Sequence, residues 1–595
     1  MDTATGAEQV YWDLSDLYTS PDDPALARDM KRVGQMASEF SQSYKNKLSY
    51  LNASELHGAL QRYEAIQDLM ARIGSYAYLN WTTNTQDAAL GKLVQQTNEL
   101  GSELSQQLVF FDIEWLALSE KDAQALMNDE SLSGYYHYLK TSRAFKPYIL
   151  SEEQEQVLSA KSVTGKQAWT RYFDETLGAA RFELDGKELT EQEVLSKLHQ
   201  PDRELRKRAA ASLTEGFKKM NRSLTFIFNT LLADKATNDK LRGYASWITS
   251  RNLSNEIKDE TVGHLVNAVT GAYPLAQRYY RLKGRLLGLD QLQDYDRYAP
   301  LLSSESTISW QQARETVLQA YSRFHPEMGE VAGQFFEHNW IDAAIRPGKR
   351  GGAYSASTAD SVHPYVFMNY DGSVRDVQTL AHELGHGVHQ YVSRIQGPLQ
   401  SGTPLTTAET ASVFGEMLVF QDLLAGMESK EEQLALLLGK IDDSMATVFR
   451  QVSMNRFEDA IHTARREEGE LTSERFSELW MATQRDLYGD SVHLNEHYGL
   501  WWSYIPHFLH TPGYVYAYAF GELLVLSLYE KYRQQPEGFA DRYIEILRAG
   551  GSESPESLTA RMGVDINERA FWQEGIGLIE QLVARAEALA DELGR

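Results

Sequence analysis

Apolar residues recur three and four positions apart along most of this 595-residue chain, and that spacing commits it to packed helices. In SELHGALQRYEAIQDLMARIGSYAYLNW the positions Leu56, Leu60, Tyr63, Ile66 and Met70 keep the period, and the texture holds from Pro21 to about Lys166 with short polar breaks. It is interrupted at RFELDGKELTEQEVLSKL, where Asp185 and Gly186 signal a hairpin turn and Thr190 with Glu193 forms a capping box for the next helix. Helical spacing then continues to about Phe336. A second interruption, IRPGKRGGAYSASTADSVHPYVFMNYDG, holds clustered glycines and two short β-like runs that end at the Asp371-Gly372 turn. From Thr406 the pattern is helical again, apart from the Gly, His and aromatic-rich passage YGDSVHLNEHYGLWWSYIPHFLHTPGYVYAYAFG. The expectation is a mainly α fold with a small β-sheet. Its domains are an N-terminal helical region over 1–185 and a second helical region over 186–595 with a β insert at about 345–372.

Composition narrows the chemistry. A formal net charge of −25 argues against nucleic-acid binding, which needs clustered Lys and Arg to meet phosphates. With no cysteine there are no disulfides and no thiolate ligands, so a metal would have to be held by His, Asp or Glu. The N-terminal MDTATGAEQVYWDLSDLY has neither a basic leader nor a following apolar core, and no stretch reaches the roughly 18 apolar residues of a membrane span. A soluble, cytoplasmic protein without membrane partners is expected.

Directly after the β insert comes TLAHELGHGVHQ, a stretch with Val377, Leu380, Leu384 and Val388 at helical spacing that also carries three histidines and two glycines. Glycine costs about 1 kcal/mol relative to alanine inside a helix, so helix stability did not select Gly385 and Gly387. His382 and His386 are four residues apart and project from one helix face, where they can share a metal ion. Glu383 is rotated away from that face and can take a proton from a metal-activated water without using a ligand position. Chance would produce one His-Glu-x-x-His in roughly a few cases per hundred at this histidine content. A third ligand is therefore the discriminating feature.

The segment TPLTTAETASVFGEMLVFQDLLAG reads as an amphipathic helix opened by Pro404 and capping threonines, with Glu409 in its first turns. Its small residues Ala408, Ala411 and Ser412 would let it approach the histidine helix closely. Glu409 is the candidate third ligand; by itself it would be an ordinary acidic residue near a helix N-terminus. Glu416, seven residues on along the same stripe, could accept a hydrogen bond from a ligating histidine. His389 also faces the metal side, but a fourth protein ligand would close the site to water, so it reads as a supporting or packing residue.

HELGHGVHQ followed by TAETASVFGE resembles the oligoendopeptidase F branch of the thimet-oligopeptidase-like zinc peptidases. YWDLSDLY, RPGKRGGAY, PYVFMNYDGSVRDVQTLAHELGH and HTPGYVYAYAFGE extend the resemblance over most of the chain. It places the family's two histidine ligands on His382 and His386, its catalytic glutamate on Glu383 and its third ligand on Glu409. The glycine at 385 is a family feature too, which would leave room for a helix or substrate backbone near the metal face. The resemblance implies a zincin-type helical fold around a deep channel that admits oligopeptides, with one zinc ion per chain. It also implies a histidine and tyrosines that donate hydrogen bonds to the oxyanion of the tetrahedral intermediate. His507 and Tyr518 match best there, with His510 and Tyr514 remaining as alternatives and Tyr516 close by.

The expected activity is zinc-dependent hydrolysis of internal bonds in short peptides. PYVFMNY is expected to supply an edge strand along which an extended peptide could pair, and Arg346, Lys349 and Arg350 either receive a peptide carboxylate or solvate a loop. A metallocarboxypeptidase sharing the local motif and a catalytically silent peptide-binding protein are the rival readings. The second of these predicts loss of a ligand or of the base, and all four residues are present. Oligomeric state, cleavage preference and the metal used in the cell are not encoded in any motif found here.

Overall fold

Polar punctuation in the sequence becomes helix caps in the three-dimensional structure, a computed structural model that describes residues 5–301 and 307–595. Residues 1–4 of the polar N-terminal segment and 302–306 of the second helical stretch fall outside it. Asn52 and Glu55 form a capping box at the start of the helix Ala53–Thr83, Thr190 and Glu193 one at Glu191–Lys197, and Ser373 and Asp376 one at Val374–Ser393. Each satisfies amide groups that the first helical turn leaves without partners, typically worth about 1 kcal/mol. Asp185 and Gly186, both at positive φ, close the hairpin Phe182–Leu184 with Lys187–Leu189, as the turn signal indicated. Helices dominate throughout, and the sheets are small. Among the described residues no helix is long and apolar enough to cross a membrane.

Two compact units are assembled from interleaved stretches. The first comprises Met1–Lys146, Glu305–Gly426 and Lys531–Val564, and the second Pro147–Ser304, Met427–Glu530 and Asp565–Arg595. In the second unit the 40-residue helix Arg203–Arg242 packs against Gln451–Glu467 and the hairpin strand Phe182–Leu184. Phe228, Phe457, Phe476, Trp480, Trp502 and Phe508 form its aromatic core.

The first unit contains the histidine helix Val374–Ser393, which packs against Thr410–Gly426, Pro326–Glu337 and Phe539–Ala549. Beside it lies a three-stranded sheet in the order Ile341–Asp342, Tyr365–Phe367, Tyr354–Ala356, the first pair parallel and the second antiparallel. This corrects the expectation for PYVFMNY: its strand is central, with hydrogen-bonded neighbours on both sides, and Tyr354–Ala356 is the edge. The reason is legible in the side chains. Tyr365, Val366 and Phe367 are fully buried, as a strand covered on both faces requires, whereas Tyr354, Ser355 and Ala356 are only half-buried.

The segment expected to be one amphipathic helix is two. Leu405–Ala408 makes a short helix, Glu409 sits in the break at φ −84° and ψ 2°, and Thr410–Gly426 continues. This second helix is buried on nearly every side, including Ala411, Val413, Phe414, Met417, Leu418 and Phe420, because it has packing partners all round. Polarity therefore has no solvent face on which to appear.

The two histidine-helix glycines are both explained by close approach. A Cβ on Gly385 would lie 2.5 Å from the Ala411 carbonyl oxygen and 2.6 Å from the Ser412 Cα, so the neighbouring backbone runs where a side chain would be. A Cβ on Gly387 would lie 2.6 Å from the edge of the Phe335 ring. A ring can tilt and a helix backbone cannot, so the two sites are expected to differ. Gly385→Ala should destabilise the protein by at least about 3 kcal/mol, the upper end of ordinary overpacking, and Gly387→Ala by about 1–2 kcal/mol. Chemical denaturation of both variants checks the order, and equal losses would show that the Ala411–Ser412 contact is not the tight one.

Candidate metal centre

His382 and His386 stand one turn apart on the histidine helix, their ring centroids 4.9 Å apart and nearly perpendicular. Both present Nε2 to a single atom, Glu409 Oε2, at 3.3 Å each. The break at Glu409 makes this convergence possible by releasing the residue from helical φ and ψ just before the close contact at Ala411. Ser412 Oγ donates to the same carboxylate oxygen at 2.6 Å and holds its rotamer. His382, His386 and Glu409 are the one group of three or more potential metal ligands among the described residues whose ligand atoms all lie within 4.8 Å of one another.

This donor set fits a small divalent cation. Bonds of about 2.0–2.1 Å in a tetrahedral site separate neighbouring ligand atoms by about 3.3–3.4 Å, the spacing found from each histidine to Glu409. Glu416 Oε2 lies 3.3 Å from His382 Nδ1, so it accepts the Nδ1–H and leaves the Nε2 lone pair turned to the centre. The electrostatics agree. Burial opposes the charge on His382, but the carboxylates of Glu409 and Glu416 hold its pKa well above the usual histidine value. Burial likewise opposes the charge on Glu409, yet hydrogen bonds from His382 and His386 hold its carboxyl far below the ordinary range. The pocket thus favours positive charge beside Glu409 and Glu416, which a proton supplies in part and a metal ion supplies fully.

Glu383 stays out of this cluster, as its place on the helix predicts, and is buried at 7% exposure. Burial raises its carboxyl above the usual value, His382 and His386 pull it down, Glu409 pushes it up, and the Ser355 N–H lowers it. With His386 it lines a cavity of about 410 Å³ shared with Ser355, Asp360, His389 and Thr403. His389 is likewise outside the ligand cluster; burial, then His386, pushes its ring down to about 4, so it remains neutral. The edge strand Tyr354–Ala356 therefore contributes directly to the cavity, a role not assigned to it from sequence. Its signal was the small, half-polar run YSAS beside the solid apolar run PYVF. Tyr321 is also newly found: it is fully buried, its hydroxyl donates to the Ala381 carbonyl one residue before His382, and its ring packs where a Gly415 Cβ would be.

In the second unit His507 Nε2 lies 3.3 Å from the Tyr518 hydroxyl, and the Tyr514 ring is 5.8 Å from His507 and 5.0 Å from Tyr518. Burial, His510 and Arg450 lower the His507 pKa. His510 is turned elsewhere, its Nε2 2.8 Å from Asp174. Tyr516 is buried, its hydroxyl bonded to Asn252 and Asn255. The structure thus groups His507, Tyr514 and Tyr518 and leaves His510 apart from them. The basic run of the first unit is committed internally. Lys349 Nζ sits 2.7 Å from Asp342, both side chains 1% exposed, Arg346 grips the same carboxylate at 2.8 and 2.9 Å, and Arg350 bonds the Tyr78 hydroxyl. Arg346 and Lys349 therefore tie the loop to the sheet, which is neither of the two roles expected of them.

Comparison with known proteins places the chain in a family. Residues 114–182 match the model for Oligopeptidase F, and residues 196–578 match that for Peptidase family M3. Oligopeptidase PepF of Bacillus subtilis is 28% identical over 97% of this chain and 87% of its own length, and group B oligopeptidase PepB of Streptococcus agalactiae is 27% identical over 98% and 97%. The crystal structure of oligoendopeptidase-F from Enterococcus faecium shares the fold, with a TM-score of 0.74 and 23% identity over 95% of this chain and 99% of that one. The M3 match covers well over half of the sequence and contains every residue of the cluster: the chain belongs to peptidase family M3 and is a metallopeptidase.

Proposed function

We propose that this metallopeptidase is a zinc-dependent endopeptidase that cleaves internal bonds of short peptides. His382, His386 and Glu409 hold one zinc ion, and Glu383 is the general base. The observation that carries the reading is the meeting of both histidine Nε2 atoms on one Glu409 oxygen at 3.3 Å, with Glu383 outside that cluster in the adjoining cavity wall. Relatives named for oligopeptidase activity support the restriction to short peptides.

When bound, zinc supplies Lewis acidity, polarising the scissile carbonyl and acidifying the attacking water. Glu383 takes one water proton as the C–O bond forms and delivers it to the amide nitrogen as the C–N bond breaks; the acid product then passes its remaining proton to the released amine, leaving a carboxylate and an ammonium. Glu416 orients His382 through Nδ1. His507 and Tyr518 are the proposed donors to the carbonyl oxygen as it gains negative charge. The edge strand Tyr354–Ala356 is the segment along which an extended substrate would pair through its main chain, giving binding that tolerates varied side chains.

Removing metal with a chelator should abolish hydrolysis, and about one equivalent of zinc per chain should restore it. Full activity in a preparation free of metal would end this reading. Glu383→Gln keeps shape and hydrogen bonding but cannot take a proton, so kcat should fall by about 10² to 10⁴ while zinc content and peptide affinity hold. Near-native turnover with zinc bound would send the search for the base elsewhere. Peptides blocked at both termini should be cut internally, since an endopeptidase needs no free carboxylate. Resistance of every blocked peptide, with cleavage of the unblocked forms, would favour the carboxypeptidase reading.

A further inference from the structure

Glu458 is a buried carboxyl group with no part in the chemistry above. It lies on the helix Gln451–Glu467 at 1% exposure. Its Oε1 accepts the Gly513 N–H at 2.9 Å, and its Oε2 has no hydrogen-bond partner among the described residues. Gly513 belongs to the turn that joins His507 to Tyr518. Its φ is +75°, and a Cβ there would stand 3.2 Å from the side chains of both Arg251 and Ile248. The turn therefore packs closely against Ile248 and Arg251, and its positive φ favours glycine.

Its neighbours are tethered as well. Arg251 Nε donates to the Pro512 carbonyl at 3.4 Å, Asn255 Nδ2 donates to the Tyr516 hydroxyl at 2.8 Å, and that hydroxyl donates to Asn252 Oδ1 at 2.7 Å. His510 is held by Asp174 at 2.8 Å. Glu458 thus binds the main chain midway between the two residues proposed to assist the reacting carbonyl, and those two meet at 3.3 Å.

The surroundings favour a neutral acid in this role. Burial pushes the Glu458 carboxyl up to about 8, against the Gly513 N–H, Arg251 and Lys235. One turn along, His462 is also buried, stacked 4.6 Å from the Trp247 ring, and burial, Lys235 and Arg466 hold it uncharged. A neutral carboxyl gives the turn an acceptor oxygen without bringing a bare charge into the core.

We infer that Glu458 is a positioning residue for the reaction: by accepting the Gly513 N–H it fixes the Pro512–Tyr514 turn and, through it, the His507–Tyr518 pair. This rests on the reading that His507 and Tyr518 assist the reacting carbonyl.

The test compares Glu458→Ala, which removes the acceptor, with Glu458→Gln, which keeps one. It reads kcat, KM, bound zinc and amide hydrogen exchange over residues 506–518. Glu458→Ala should lower kcat by about 10-fold or more, as small misplacements of catalytic groups do, with KM and zinc little changed and exchange in the turn faster. Glu458→Gln should restore both kcat and protection. Wild-type kcat in folded Glu458→Ala overturns the inference whatever the exchange shows, and so does a glutamine variant as impaired as the alanine one. Should Glu458→Ala not fold, Gly513→Ala decides: it displaces the same turn while leaving Glu458 in place, so a loss of kcat with zinc retained supports the inference and an unchanged kcat overturns it. His507→Ala and Tyr518→Phe separate the two levels. Unchanged kcat in both removes the reading on which the inference rests and the inference with it, whereas a loss in both alongside normal Glu458→Ala kinetics removes the Glu458 assignment alone.

Discussion

The contact between Gly385 and the backbone of Ala411 and Ser412 is the constraint from which the candidate metal centre follows. A helix carrying two histidines on one face is common enough; it becomes a binding site when a third ligand is brought to the same point. Glu409 reaches that point because the chain breaks out of helix there and then passes the histidine helix with no side chain between them. The price is a glycine in the middle of a helix, a cost of about 1 kcal/mol that the packing of Val377, Leu380, Leu384 and Val388 readily offsets.

Electrostatics complete what packing begins. Glu383, Glu409 and Glu416 are drawn around two imidazoles at a partly buried site, an arrangement that is costly unless positive charge joins it. The three carboxylates are kept distinct by their partners. Glu409 shares the two Nε2 atoms, Glu416 takes the far nitrogen of His382, and Glu383 faces the cavity. One residue type thereby takes three distinct positions, and the proposed roles of ligand, orienting group and base follow from that geometry.

Much of this was legible along the chain. The capping box of Thr190 and Glu193 is local hydrogen-bond chemistry, written in residues three positions apart, and it appears where the sequence placed it. The four-residue spacing of His382 and His386 is equally local. Errors arose where a residue's surroundings come from distant sequence. PYVFMNY was given an edge that belongs to Tyr354–Ala356, because pairing partners are chosen by long-range register. Thr410–Gly426 has an amphipathic spacing in sequence yet packing surrounds it, and Arg346 and Lys349 stand in a basic run yet Asp342 claims both.

By itself, the sequence determined the helical class, the pair of histidines on one face and the separate direction of Glu383. These depend on periodicity and on backbone geometry over a turn or two, which residue order carries directly. Only the tertiary structure decided that Glu409 leaves the helix to meet both histidines, that Tyr321 braces the Ala381 carbonyl, that Tyr354–Ala356 lies at the open edge, and that the turn at Gly513 hangs from Glu458. Each of these joins residues tens of positions apart, where what brings atoms together is the close packing of whole elements and the demand that every buried polar group find a partner.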